Sequence, residues 1–388
     1  MTYEKNQPSL RKLLFSVNPK AIKTQFILSL FLFALCINPS FAQQKRTKIG
    51  VAGLTHGHVG WILNAKDRED LEIVGIAEPN RELAKRLTEQ HGISMDLVFD
   101  SLEEMLEKTN PEAVTAFGNI YDHLAVVEAC APKGIHVMVE KPLAVSLEHA
   151  VKMKELAEKH NIHLITNYET TWYPSTFKAY EILKNGEVGD LRKVVVRDGH
   201  RGPKKIGVSD EFLEWLTDPK LNGGGALIDF GCYGANLVTW LENGQLPKSV
   251  TAVTHQLQSE NNPKVDDEAT IILNYEDSQA IIQASWNWPI GRKDMEIYGL
   301  KGAIYADNPT DIRVQYAEGY SGFEENEFEL EYQNTPFEDP FTLFLAVING
   351  ELTLEAYALP SLENNMIVVK ILSAAVESAK TGKTVFLK

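Results

Sequence analysis

The sequence predicts an α/β protein in two parts. An N-terminal doubly wound parallel sheet is followed by an α+β domain with a large, mostly antiparallel open sheet. Three observations predict it. Over residues 47–166, short continuous apolar runs alternate with helical periodicity, as strands covered on both faces require. Beyond about residue 168, strand-like runs succeed one another across short polar turns, the pattern of antiparallel pairing. A glycine-rich stretch, GVAGLTHGHVG at 50–60, follows the first apolar run and opens a helix, where such a sheet places its ligand loop.

The first part reads in order. TKIGVAGL (47–54) is a strand and HVGWILNA (58–65) a helix; LEIVGIAE (71–78) is a strand and NRELAKRLTEQHG (80–92) a helix closed by glycine. SLEEMLEK (101–108, helix), EAVTAFG (112–118, strand) and HLAVVEACAPKG (123–134, helix) continue the alternation. IHVMVE (135–140, strand), LEHAVKMKELAEKHN (147–161, helix) and IHLIT (162–166, strand) complete a domain placed at 46–167. The second domain, 168–388, opens with a helix over roughly 175–185. Strands follow at 191–198, 248–257, 268–275, 279–286, 293–300 and 302–307, and a helix at 362–380 precedes the terminal run TVFLK. No internal repeat or long linker interrupts them.

Residues 1–42 stand apart. Lys5, Arg11, Lys12, Lys20 and Lys23 precede the apolar run FILSLFLFALCI (26–37), and Ser40-Phe41-Ala42 ends the segment with small residues. A basic start, a short apolar run and a small-x-small site describe a secretory signal peptide, and the run is short for a bilayer span. The expectation is an exported protein, periplasmic or secreted, with its mature end near Gln43. That mature chain carries 33 basic and 52 acidic residues, a net charge of −19, which argues against nucleic acid or an anionic membrane as partner. Two cysteines, Cys130 and Cys232, remain, too few for a disulfide framework.

The glycine stretch departs from G-x-G-x-x-G. With Gly53 first, Thr55 takes the second position and His58 the third; Thr55 crowds the approach that a second glycine permits, although its hydroxyl can donate to a phosphate. Gly57 and Gly60 are candidates for close contact in a shifted loop, and His56 lies between. Glu78, 25 positions after Gly53, stands where a carboxylate grips ribose hydroxyls, which favours NAD over NADP; nearby Arg81 tempers that preference. A plain strand–helix turn and a helix-start carboxylate are the competing readings. His56 and His58, two residues apart and without a Cys/His cluster, make no metal set, so none is expected.

GIHVMVEKPLAVSLEHA (134–150) and LNGGGALIDFGCYGANLVTWL (221–241) resemble the Gfo/Idh/MocA family of nicotinamide-dependent oxidoreductases. Asp122-His123 after AVTAFGN, NYETTWYPS (167–175), WLTDPKLNGGG and SAAVESAKTGKTVFL agree with it, so the resemblance covers nearly the whole mature chain. It implies a Rossmann-type first domain, an NAD cofactor, and Lys141 beside the nicotinamide and substrate hydroxyl. Positive neighbours and burial are expected to lower the Lys141 pKa. Glu140 is expected to orient Lys141 or the loop. Asp229 and Tyr233, at i and i+4, share a helix face; Tyr233 is the expected acid/base and Asp229 the hydrogen-bond partner of substrate or tyrosine. Asn119 and His123 are assigned to the cofactor crevice. Trp172, Tyr173, His200 and Arg201 are assigned to substrate contact, with packing as the competing role of each.

The leading expectation is an oxidoreductase moving hydride between nicotinamide and a sugar, polyol or related cyclic alcohol, with homo-oligomers implied by the family. Export favours a second reading: glycoside cleavage with one tightly held, recycled NAD. A non-catalytic carbohydrate-binding scaffold ranks third.

Overall fold

The computed structural model describes residues 46–332 and 339–388; residues 1–42, which the sequence reads as a signal peptide, lie outside them. Six strands form the first sheet: β1 (Thr47–Ala52), β2 (Leu71–Ala77), β3 (Val98–Phe99), β4 (Ala113–Ala116), β5 (His136–Glu140) and β6 (Leu164–Asn167). All pairs are parallel, in the order β3-β2-β1-β4-β5-β6. The order reverses between β1 and β4, so their carboxyl ends flank a crevice. β4 is buried at every position, Thr115 included, which explains why its sequence shows no in–out alternation. The two-residue β3 is too short to leave a periodic signal.

Local chemistry sets the helix ends. Asn80, Ser101, Ser146 and Ser361 each cap a helix by accepting a backbone N–H, and Gly92 and Gly382 close helices in the left-handed conformation. The helix at Pro340–Ile348, which no periodicity argument had located, returns the chain to the first sheet: Phe341 and Phe344 join the core of Ile49, Val51 and Ile62.

The second sheet has nine strands: β7 (Leu191–Gly199), β8 (Ser249–His255), β9 (Glu268–Asn274), β10 (Gln279–Ser285), β11 (Arg292–Gly299), β12 (Gly302–Ala306), β13 (Asp311–Glu318), β14 (Gly322–Glu329) and β15 (Val385–Phe386). It is antiparallel except for the β7–β10 pair. The β13–β14 hairpin is absent from the sequence reading, and β14 is exposed along its length, so its acidic sequence carries no buried-face signal. The helix Gly231–Leu241, buried at every position, packs on the sheet.

One turn brings the second sheet's helices to the crevice. The Asp266 carboxylate accepts the N–H groups of Gly225 (3.0 Å) and Leu227 (2.7 Å), and its carbonyl accepts that of Ala226 (3.0 Å). A Cβ on Gly225 would lie 1.7 Å from that carbonyl oxygen, so only glycine admits this approach. Gly225→Ala is expected to destabilise the fold by about 3 kcal/mol through overpacking, read as a lowered urea midpoint.

Candidate active site

The carboxyl edge of the first sheet faces the second sheet across a cleft of about 500 Å³. Lys141 enters it from the end of β5. Its Nζ bonds the Asp229 Oδ1 at 2.5 Å and the Asp229 carbonyl at 3.1 Å, with both residues buried. The second Asp229 oxygen accepts the Trp286 Nε1–H at 2.9 Å. Asp229 therefore bonds Lys141 and Trp286 and not Tyr233, one of its two expected partners, and it still lines the cleft. The expected lowering of Lys141 is also overturned. Burial works against its charge, but Asp229, with Cys232 and Glu140, outweighs it and holds the ammonium at about 12. Asp229 is likewise held below its ordinary value: burial raises it and Lys141 more than offsets that.

Asp229 and Tyr233 do not share one continuous helix. Asp229 ends the short helix Ala226–Asp229, and Tyr233 lies in the first turn of Gly231–Leu241. Both still line the cleft. The Tyr233 ring lies 5.0 Å from the Lys141 Nζ and 4.8 Å from the Lys293 Nζ. Burial, then Glu169 and other nearby anions, pushes its phenol well above the ordinary range. It is a proton-holding group here.

The glycine loop is pinned at three points. Gly53 has φ +80°, and a Cβ there would lie 2.8 Å from the Gly118 backbone. Glu78 is buried, its oxygens accepting the N–H groups of Leu54 (2.9 Å) and Asn80 (2.8 Å); it braces the loop. Glu140 binds His58 Nδ1 at 3.0 Å and accepts the Asn167 amide at 2.7 Å, so it orients the loop and not Lys141. Burial opposes its charge, and His58 more than offsets this, leaving its carboxyl at about 2. Thr55 is half-buried in the loop. A Cβ on Gly57 would meet the Phe212 ring at an ordinary 3.5 Å and one on Gly60 would meet nothing within 4 Å, so the surrounding protein does not require glycine at either position.

His56, His58 and Glu140 place three donor atoms within 4.8 Å of one another. The His58 backbone N–H donates to His56 Nδ1 at 3.1 Å, which leaves the proton of a neutral His56 on Nε2, the atom nearer Glu140. The trio is a hydrogen-bonded clamp.

A second cavity, about 280 Å³, opens at the β1–β4 crevice beside Gly53, Ala77, Ser101, Gly118, Asn119 and His123. His123 is buried there, with Nδ1 against the Leu143 carbonyl and no hydrogen-bond partner for Nε2 among the described residues. Asn119 caps the following turn through Asp122. A tight turn at Gly53 on the cavity wall, which the Gly118 backbone closes to any Cβ, and an unpartnered imidazole nitrogen on the same cavity fit a dinucleotide.

Of the substrate candidates, Tyr173 and His200 line the cleft and Trp172 and Arg201 do not. Trp172 is buried, its Nε1–H on Asn167, and Arg201 is exposed beyond the rim. Sequence reasoning missed Glu169 and Lys293, which form an ion pair within the cleft. Tyr173 donates to Glu169 at 2.5 Å. Glu169 lies in the NYET segment already singled out; Lys293 is the second residue of β11 and carries no local mark. Phe212, packed against His56 with ring centroids 4.9 Å apart, was also missed.

The oxidoreductase family model with an NAD-binding Rossmann fold matches residues 47–168, and the GFO/IDH/MocA C-terminal domain model matches 177–305. The chain belongs to the Gfo/Idh/MocA oxidoreductase family. It is 27% identical to the trans-1,2-dihydrobenzene-1,2-diol dehydrogenase of Xenopus tropicalis over 250 residues, 63% of this chain and 71% of that one. It is 26% identical to the myo-inositol 2-dehydrogenase of Thermotoga maritima, covering 78% of this chain and 89% of that one. An inositol dehydrogenase homolog from Azotobacter vinelandii, crystallised with NAD+, superposes with a TM-score of 0.75 at 19% identity, covering 90% and 100% of the two chains. The crevice of this Gfo/Idh/MocA member is thus that of an NAD-binding Rossmann domain in an oxidoreductase.

Three buried groups make the molecule acid-labile. Burial depresses His56 to about 3 and His123 to about 4, so both are neutral in the fold. An unfolded histidine takes a proton near about 6.5, so their contribution is complete above that pH and is lost as pH falls towards the folded values. Glu140 adds a loss of the same sign at lower pH, between its ordinary value and about 2. Urea-derived stability is expected to fall below pH ~6.5 by up to about 1.4 kcal/mol per pH unit for each histidine. His123→Asn is expected to flatten that slope.

Proposed function

We propose that this oxidoreductase moves hydride between nicotinamide and the carbinol carbon of an uncharged polyhydroxylated ring: a sugar, polyol or related cyclic alcohol. The observation that carries this reading is the buried Lys141–Asp229 pair beside Tyr233 on the cleft wall. Bound NAD supplies the hydride acceptor or donor. Lys141, held as a cation by Asp229, stabilises negative charge on the substrate oxygen. Tyr233 gives its phenolic proton to that oxygen when a ketone is reduced and is left as phenolate; in alcohol oxidation the phenolate form takes the hydroxyl proton and becomes the phenol. Its raised pKa favours the donating role. His200 and Tyr173 supply polar contacts for ring hydroxyls, and Phe230 an apolar face.

The charge inventory supports an uncharged ring. The three lysine and arginine side chains on the cleft each hold a carboxylate: Lys141 with Asp229, Lys293 with Glu169, and Arg292 with Asp294. A phosphate or carboxylate on the substrate would have to displace one of these partners. The relatives named for a dihydrodiol and for myo-inositol fit the same class.

Purified without added nucleotide and assayed with a panel of cyclic polyols and glycosides, the protein is expected to reduce NAD with one of them. Lys141→Ala and Tyr233→Phe are each expected to lower kcat/KM by at least ~100-fold while NAD still binds. Full turnover in both variants would sink the assignment. Stoichiometric NAD(H) released on denaturation, with glycoside cleavage needing no added cofactor, would instead select the recycling glycosidase.

The export reading rests on the basic and apolar pattern of residues 1–42. The oligomer reading draws support from Val253 and Ile272, exposed on neighbouring strands β8 and β9. Protein recovered from its native host is expected to begin near Gln43 and to sediment as more than one chain. An intact N-terminus would refute the first reading, and a monomer the second.

A further inference from the structure

Asp198 lies beneath the cleft on β7, opposite Lys293 of β11 and Ala284 of β10. It is fully buried, and neither carboxylate oxygen has a hydrogen-bond partner among the described residues. The Thr170 hydroxyl is in the same state. Both line a small pocket of about 10 Å³, together with Tyr173, Ser175, Thr176 and Lys293. A space of that size holds about one water, and a buried acid left without any partner is costly.

The groups around Asp198 decide its charge. Lys293 and Asp294 face it from β11, Glu169 and Tyr173 from the segment after β6, Lys141 from the end of β5, and Cys232 from the helix Gly231–Leu241. The two lysines are the only cations among them. Each is already bonded to another carboxylate, Lys293 to Glu169 and Lys141 to Asp229. Burial pushes the Asp198 carboxyl well above the ordinary range, and Lys293 only partly opposes it. An ionised Asp198 would compete with Glu169 for Lys293 and draw the ammonium away from Tyr233. A neutral one leaves the ammonium shared between Glu169 and the tyrosine ring, 4.8 Å away.

We propose that Asp198 is a neutral carboxylic acid that, through one trapped water shared with Thr170, holds Lys293 over Tyr233 and so positions the charge beside the proton donor. The acid O–H donates to the water, and its carbonyl oxygen accepts from the water or the ammonium. The part played by Tyr233 rests on the reading proposed above; the protonation of Asp198 does not.

The test uses the intact mature protein with NAD and needs no substrate. The infrared spectrum at neutral pH is expected to contain the carbonyl stretch of a protonated carboxylic acid, lost in Asp198→Asn. With ring-labelled tyrosine, the Tyr233 carbon resonance, assigned through Tyr233→Phe, is expected to stay in place in Asp198→Asn, which mimics the neutral acid. It is expected to shift in Asp198→Leu, or in the smaller Asp198→Ser if the leucine variant does not fold. A spectrum in which Asp198→Asn removes only carboxylate bands overturns the neutral acid. A Tyr233 resonance that moves no more in the leucine or serine variant than in the asparagine variant overturns the positioning role. Both readouts stand even if every sugar tested proves inert, so this inference and the substrate reading fail separately.

Discussion

Lys141 and Asp229, 2.5 Å apart and buried save where they border the cleft, join the end of β5 to the glycine-led turn of the second sheet's helices. Neither charge is tolerable alone at that depth, and removing one partner from such a pair typically costs about 3–5 kcal/mol. The pair thus does two things at once. It fixes how the carboxyl edge of the first sheet meets the second sheet, and it keeps a permanent cation on the wall of the cleft. Gly225, pressed against the Asp266 backbone, and Trp286, donating to the free Asp229 oxygen, hold the aspartate's side of this contact. Other cleft residues are arranged around it.

The phosphate-loop region obeys the same rule of paired buried groups. An ordinary fingerprint loop relies on glycines for close approach; this one keeps only Gly53 at the critical turn and braces the remainder with carboxylates. Glu78 takes up two backbone N–H groups, and Glu140 takes up His58. Thr55 and His58 are thus parts of a differently built loop, whose rigidity comes from hydrogen bonds and from the packing of Phe212 on His56. His58 ties this loop to the cleft, since its other ring nitrogen lies 4.0 Å from Glu169. Glu169 is the partner of Lys293, so a line of polar contacts runs from the cofactor loop to the groups beneath Tyr233.

Much of the fold was legible because its signals are local. Continuous apolar runs such as VMV in β5 and capping residues such as Ser101 and Asn80 act within a few residues of the backbone they shape. The misses share a cause. β14 is exposed on both faces and owes its existence to the hydrogen bonds of β13; the helix Pro340–Ile348 is apolar nearly all round and is placed by the first sheet's core. In the site, Lys141 and Tyr233 stood in recognisable motifs. Lys293 stands in none, and it reaches the cleft only because β11 pairs with β7.

By itself the sequence determined the alternation of strands and helices, the place of the loop after β1, and the motifs that carry Lys141, Asp229 and Tyr233. Only the tertiary structure decided what those groups are. It made Lys141 a held cation, turned Glu78 and Glu140 into braces, buried Trp172, left Arg201 outside, and brought Glu169 and Lys293 together. The physical reason is that backbone preference and periodicity are properties of neighbours in the chain. A side chain's charge depends on its depth and on partners that can lie, as Asp229 does from Lys141, 88 residues away.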